Sequence, residues 1–147
     1  MQAGLTSLKR LGSTMPKIMV VDDEATVLFL IKVLLERAKM EVTGACGGLE
    51  AYETLTAPGA GAARPDLIIL DAMMPGMDGY AFMAKLRDGE GLDKIPVIIL
   101  SGKDNHSKEN FALSENIYAV LQKPFEPGNL LKVAKEALAA GKPDGPV

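Results

Sequence analysis

The sequence predicts an α/β domain in which a parallel sheet of five strands is covered by helices on both faces. Three observations support this fold class. Five short apolar segments alternate with segments of helical periodicity between residues 17 and 141. Two of the apolar segments, 67–71 and 95–100, are almost unbroken, which is typical of strands buried on both faces. Polar residues follow the strand segments, and parallel sheets bind ligands at the carboxyl ends of their strands.

The first half of the chain reads as two strand–helix units and a loop. The segment 17–21 is apolar and β-branched, and it stops at the acids Asp22 and Asp23, either of which could also cap the following helix. Pro58 ends the second helix. The predicted elements are a strand at 17–21, a helix at 25–39, a strand at 41–46, a helix at 48–57 and a flexible loop at 59–64.

The second half of the chain continues the alternation. Asp78 is placed to cap a helix, and Pro96 stands at the start of a strand, where it removes no ladder hydrogen bond. Pro127 suits the first turn of the last helix. The predicted elements are strands at 67–71, 95–100 and 118–121, a turn at 88–91, and helices after Asp78, at 105–115 and at 127–141.

Length and composition restrict the class of protein. A chain of 147 residues fits one domain at 16–141, with a disordered extension at 1–15 and a tail at 142–147. A net charge of −3 argues against direct nucleic-acid binding, and no apolar run is long enough to span a membrane. The single Cys46, predicted to be buried, excludes an internal disulfide, and we expect a cytoplasmic protein.

The polar residues at the predicted strand ends form a candidate phosphoryl-transfer site. Three carboxylates at adjacent strand ends repel one another, by roughly 3 kcal/mol for a pair at about 5 Å and an effective dielectric of about 20. Oxygen ligands without His or Cys suit Mg²⁺. A carboxylate nucleophile, a metal ion, an ammonium and a hydroxyl together suit phosphoryl transfer. The residues concerned are Asp22, Asp23, Asp71, Ser101 and Lys123.

These residues and their neighbours resemble the receiver domain of a two-component response regulator over about residues 16–140. The resemblance depends on Val20-Val21-Asp22-Asp23-Glu24, on Asp71 with Met74-Pro75 and Asp78-Gly79, on Leu100-Ser101-Gly102 and on Lys123-Pro124-Phe125. It implies a flavodoxin-like sheet with strand order 2-1-3-4-5. It also implies that Asp71 is the phosphoacceptor, that Asp23, Asp71 and the Met73 carbonyl bind Mg²⁺ directly, and that Asp22 does so through water. Ser101 and Lys123 would contact the phosphoryl group, and the Lys123–Pro124 bond would be cis.

The resemblance further implies a signalling function. A histidine kinase or histidine phosphotransfer protein would donate the phosphoryl group, and residues 104–140 would form the output surface for a downstream target protein or a phosphorelay. The domain would catalyse only its own phosphorylation and dephosphorylation, and we expect no attached effector domain. One residue departs from the pattern, because Val120 stands where receivers usually carry a switching Tyr or Phe. Tyr118 lies two residues earlier, on the same face of a regular strand.

The same residues allow other interpretations. A haloacid-dehalogenase-type phosphatase also uses a strand-end Asp with Mg²⁺, but it requires a second Asp where this chain has Met73, and its paired acids follow the nucleophile. A receiver-shaped scaffold that is never phosphorylated is disfavoured because every acidic, hydroxyl and lysine element is present. His106, the only histidine, has polar neighbours and is interpreted as a solvated residue at a helix start.

Overall fold

The computed structural model describes residues 15–74, 76–102 and 116–141. The predicted N-terminal extension up to residue 14, the tail at 142–147 and the predicted helix at 105–115 with His106 lie outside this part of the chain. The strands are β1 Lys17–Val21, β2 Glu41–Ala45, β3 Leu67–Asp71, β4 Val97–Ser101 and β5 Ile117–Gln122. The helices are α1 Ala25–Arg37, α2 Gly48–Thr56, α3 Gly79–Asp88 and α4 Pro127–Gly141.

The five strands form one parallel sheet in the order β2-β1-β3-β4-β5. This confirms the predicted flavodoxin-like order. The order places β1 and β3 side by side, so that the residues after these two strands are neighbours at the carboxyl edge of the sheet. Of the helices that the structure describes, none is long and apolar enough to cross a membrane.

Helices cover both faces of the sheet, each over its own apolar cluster. Side chains of α1 and α4, including Ile31, Leu35 and Leu130, pack with Ile69 and Leu100 on one face. Side chains of α2 and α3 pack on the other face with Met19, Ile68, Leu70, Val97 and Ile99. All five residues of β3 and all five of β4 are buried, because these strands lie inside the sheet between two helical layers.

The apolar pattern of a buried strand is weaker in the sequences of the edge strands β2 and β5 because these strands are less buried than the central ones. In β2 only Ala45 is buried, and every residue of β5 is at least partly exposed. Strand β5 also contains an irregularity: Val97 pairs with Ile117 and Ile98 with Ala119, so Tyr118 is an extra residue. The prediction that Tyr118 and Val120 share a face assumed regular alternation, and the bulge interrupts that alternation.

The local structure differs from expectation at the 59–64 loop and at Cys46. The loop at 59–64 contains a 3₁₀ helix at Ala60–Ala63, and Arg64 Nη1 donates a hydrogen bond to the Glu90 carbonyl at 2.9 Å. Cys46 was expected to be buried but is exposed, since it follows the edge strand β2. Its N–H donates to Glu50 Oε1 at 2.8 Å.

Candidate functional site

Three carboxylates converge at the carboxyl edge of the sheet. Asp22 and Asp23 follow β1, and Asp71 is the last residue of β3. One oxygen from each carboxylate lies within 4.8 Å of the others. Asp22 is 0% exposed and Asp71 is 4% exposed, whereas Asp23 is open to solvent. The structure thus brings together the three acids that the sequence indicated.

The backbone around Asp22 fixes its carboxylate. Its N–H donates to the Ala45 carbonyl at 3.1 Å, which extends the β1–β2 ladder by one residue. Its Oδ1 accepts a hydrogen bond from the Glu24 N–H at 2.8 Å. The N-cap residue of α1 is Glu24, which makes no side-chain cap hydrogen bond, so neither Asp22 nor Asp23 caps this helix as expected.

Asp71 is held by the loop that follows it. Its Oδ1 accepts a hydrogen bond from the Met73 N–H at 3.2 Å, while the Met73 side chain is exposed. Burial raises the pKa of Asp71, the Met73 hydrogen bond lowers it, the Asp22 charge raises it and Lys123 lowers it, giving a pKa of about 6. The ionised Asp71 carboxylate is therefore destabilised but still largely populated at neutral pH.

The loop after Asp71 is tied to the start of α3. Asp78 Oδ1 accepts a hydrogen bond from the Ala81 N–H at 2.9 Å, which confirms the predicted N-cap. The Gly79 N–H donates to the Ala72 carbonyl at 3.1 Å, and a Cβ at position 79 would lie only 2.9 Å from the Ala72 Cα. Only glycine allows this close approach between α3 and the residue beside Asp71.

Lys123 is the cation of the site. Its Nζ lies 3.4 Å from Asp22 Oδ2, 3.4 Å from Asp71 Oδ1 and 3.6 Å from Glu24 Oε1. Burial acts to lower the pKa of Lys123, but the charges of Asp22 and Asp71 outweigh burial and the pKa is raised. The ammonium is therefore fully protonated. The Lys123–Pro124 bond is cis, as the resemblance implied.

Ser101 is linked to Lys123 through its backbone carbonyl. It is 3% exposed at the end of β4, and its Oγ donates to the Gly102 carbonyl at 3.2 Å. Its carbonyl accepts a hydrogen bond from the Lys123 N–H at 2.7 Å. Nearby, Val120 packs against the α2–α3 face of the sheet, while Tyr118 is exposed.

Glu24 is part of the motif on which the family resemblance depends, but the sequence assigned it no role in the site. Its carboxylate contacts Lys123, although 99 positions separate the two residues in the chain. The sequence indicated that Glu24 lies near the site, because it directly follows two acids at a strand end. The sequence did not indicate that Lys123 is its partner, because Lys123 reaches Glu24 across the ends of two intervening strands.

The donor set of the acid cluster fits a hard divalent cation. It consists of carboxylate oxygens, two of them on buried residues, and Lys123 compensates only part of their charge. A site with oxygen ligands and an uncompensated negative charge favours Mg²⁺ over metals that prefer nitrogen or sulfur. The residues present are therefore suitable for the ion that the sequence suggested.

Comparison with known proteins agrees with this fold. The family described as "Response regulator receiver domain" matches residues 18–135. The chain therefore belongs to the receiver domain family of two-component response regulators. This assignment replaces the haloacid-dehalogenase alternative, and it agrees with the strand order and the strand-end acids.

Curated relatives place the domain among response regulators. The phosphate regulon transcriptional regulatory protein PhoB of Rhizobium meliloti is 32% identical over 130 residues, which is 88% of this chain and 55% of that protein. The alkaline phosphatase synthesis transcriptional regulatory protein PhoP of Bacillus subtilis is 34% identical over 76% of this chain and 43% of that protein. The chain thus spans about half the length of these relatives.

Solved receiver structures share the fold over most of their length. The receiver domain of a signal transduction histidine kinase from Syntrophus aciditrophicus is 30% identical, with a TM-score of 0.76 over 90% of this chain and 96% of that chain. The chemotaxis protein CheY4 of Vibrio cholerae is 28% identical, with a TM-score of 0.74 over 84% of this chain and 99% of that chain.

Proposed function

We propose that Asp71 accepts a phosphoryl group from the phosphohistidine of a histidine kinase or of a histidine phosphotransfer protein. The observation that carries this proposal is the 3.4 Å approach of Lys123 Nζ to Asp71 Oδ1 beside the acid cluster. A carboxylate oxygen of Asp71 attacks phosphorus, and an oxygen–phosphorus bond forms as the phosphorus–nitrogen bond breaks. The departing imidazole nitrogen keeps the electron pair and takes a proton, which leaves an acyl phosphate on Asp71.

The surrounding residues have separate roles in this step. The Lys123 ammonium pairs with a phosphoryl oxygen, and the Ser101 hydroxyl donates a hydrogen bond to another. Asp23, Asp71 and the Met73 carbonyl would hold Mg²⁺ directly, and Asp22 would hold it through water. When bound, Mg²⁺ neutralises the acids and the phosphoryl oxygens. Ionisation of Asp71, with its pKa of about 6, supplies the anionic nucleophile at neutral pH.

The modification becomes a signal by shifting a conformational equilibrium. A phosphoryl group shifts this equilibrium only as far as it interacts better with one state than with the other. Ser101 and Lys123 can provide that difference, because the Lys123 N–H is bonded to the Ser101 carbonyl and Lys123 directly follows β5. We propose that the change reaches a downstream target protein through the surface at 104–140, with Val120 in place of an aromatic residue.

Phosphorylation by a small donor tests this proposal. The protein is incubated with Mg²⁺ and acetyl phosphate, and its intact mass is measured. We expect a single acid-stable, base-labile phosphoryl adduct, which is absent in Asp71→Asn. Asp88→Asn, at an exposed carboxylate at the end of α3, serves as the matched control and should label like the wild type. Absence of an adduct with acetyl phosphate, phosphoramidate and carbamoyl phosphate alike would overturn the proposal.

A further inference from the structure

We infer that Glu24 restrains Lys123 and thereby slows its engagement with the phosphoryl group. This inference rests on the proposed function of Asp71. In the structure Lys123 Nζ lies 3.6 Å from Glu24 Oε1, nearly as close as it lies to Asp22 and Asp71. The three carboxylates therefore share one ammonium. To pair with a phosphoryl oxygen, the Lys123 ammonium has to give up at least one of these three contacts.

Glu24 differs from the other two partners of Lys123. Asp22 and Asp71 belong to the converging acid cluster, and Glu24 does not. A cation at that cluster would compensate the charge of the two aspartates. Among the ion pairs of the described residues, Lys123 is the one cation that contacts Glu24. Glu24 is thus the partner that continues to compete for Lys123 when the acid cluster is neutralised.

The backbone holds Glu24 in place for this contact. Its N–H donates to Asp22 Oδ1 at 2.8 Å, and its carbonyl accepts a hydrogen bond from the Leu28 N–H at 3.0 Å in the first turn of α1. Its side chain makes no cap hydrogen bond, so it is available to Lys123. The main chain therefore anchors Glu24 next to Asp22, while its carboxylate remains at the mouth of the site.

The exposure of Glu24 limits the size of the effect. Its side chain is 63% exposed, whereas that of Lys123 is 22% exposed. Solvent screens such a pair, so it is weaker than a buried one. Loss of a pair of this kind corresponds to a rate change of about two- to fivefold. Glu24 therefore tunes phosphorylation and does not prevent it, which makes it a positioning residue that acts through Lys123.

The first test compares phosphorylation rates at saturating Mg²⁺ and acetyl phosphate. Glu24→Gln should be labelled about two- to fivefold faster than the wild type. Glu126→Gln is the matched control, because Glu126 is an exposed acid in the loop that follows Lys123 and makes no ion pair within the described residues. The control should label at the wild-type rate. In a Lys123→Gln background, Glu24→Gln should cause no acceleration.

The second test does not depend on phosphorylation. The free energy of unfolding is measured by urea titration without divalent metal for the wild type, Glu24→Gln, Lys123→Gln and the double variant. A favourable coupling in this double-mutant cycle would show that the two side chains interact in solution. A purely structural pair would give this coupling without the rate change.

The outcomes separate this inference from the proposed function. If the wild type forms no adduct, the proposed function fails and the inference fails with it. If the wild type is labelled normally but Glu24→Gln is labelled no faster, only the inference is overturned. It is also overturned if the acceleration persists without Lys123, because Glu24 would then merely repel the anionic donor. Zero coupling in the unfolding cycle is a third result against it.

Discussion

Lys123 Nζ and Asp71 Oδ1 lie 3.4 Å apart, although β4 lies between β3, which ends at Asp71, and β5, which Lys123 directly follows. The contact exists because a lysine side chain is long enough to cross the end of the intervening strand. The two residues are therefore coupled electrostatically without sharing backbone hydrogen bonds. Lys123 lowers the pKa of Asp71, yet burial and the charge of Asp22 keep that pKa raised to about 6. The ionised carboxylate of Asp71 therefore lowers the free energy of unfolding.

Replacing Asp71 with Asn should stabilise the protein in the absence of divalent metal. The substitution removes a buried charge but keeps an oxygen that can accept the Met73 N–H. A pKa of about 6, against an ordinary value of 3.8, corresponds to a gain of about 1–3 kcal/mol in the free energy of unfolding near neutral pH. Urea titration with a chelator present measures the change.

Glu53→Gln is the control for this substitution, since Glu53 is an exposed acid on α2. Its free energy of unfolding should stay within about 0.5 kcal/mol of the wild type. Clear destabilisation of Asp71→Asn would mean that the ionised carboxylate is a net stabilising partner of Lys123. The repulsion between the strand-end acids would then be smaller than the geometry indicates.

Titration of Asp71 should make the free energy of unfolding depend on pH. Its folded pKa of about 6 lies above 3.8, so between these values the folded protein binds more protons than the unfolded protein. The contribution of Asp71 to the free energy of unfolding is therefore greatest below about pH 4, and it falls by about 3 kcal/mol as the pH rises through about 6. We expect this fall in the difference in free energy of unfolding between the wild type and Asp71→Asn, measured without divalent metal over a range of pH. A flat difference curve would contradict the raised pKa.

Much of the fold was predictable because buried strands have a distinctive composition. The apolar runs of β3 and β4 identified the centre of the sheet, and both strands are fully buried. Parallel strands end at one edge, so the polar residues after them could be assigned to a common site. Asp22, Asp71 and Lys123 do meet there. The strand order, in contrast, came from resemblance, because periodicity does not determine which strands are adjacent.

The features that sequence reasoning missed depend on contacts between distant residues. The pairing of Glu24 with Lys123 requires the relative positions of α1 and β5. Cys46 is exposed because it follows an edge strand, and composition does not show which strand is at the edge. The bulge at Tyr118 arises from pairing with β4, so regular alternation along the sequence does not determine which face its side chain occupies.

Mg²⁺ should stabilise the wild type and have much less effect on Asp71→Asn. Binding to the folded state alone adds about 2.7 kcal/mol to the free energy of unfolding at about 100 times the dissociation constant. For a domain of this size, that gain raises Tm by roughly 5–10 °C. Differential scanning calorimetry with and without Mg²⁺ measures the shift, and Asp88→Asn should shift like the wild type. Equal shifts in the wild type and Asp71→Asn would exclude Asp71 as a ligand.

Gly79→Ala should destabilise the fold and displace the loop that follows Asp71. The new Cβ would lie 2.9 Å from the Ala72 Cα and 3.1 Å from its carbonyl oxygen, so the backbone beside Asp71 must move. We expect a loss of about 1–3 kcal/mol in the free energy of unfolding and slower labelling by acetyl phosphate. Gly128→Ala is the matched control, because Gly128 also lies in the first turn of a helix and a Cβ there would meet no heavy atom of the described residues within 4 Å beyond its own helix backbone. That control should be neutral or more stable by up to about 1 kcal/mol. Equal effects of the two substitutions would show that the approach of α3 to Ala72 does not constrain the site.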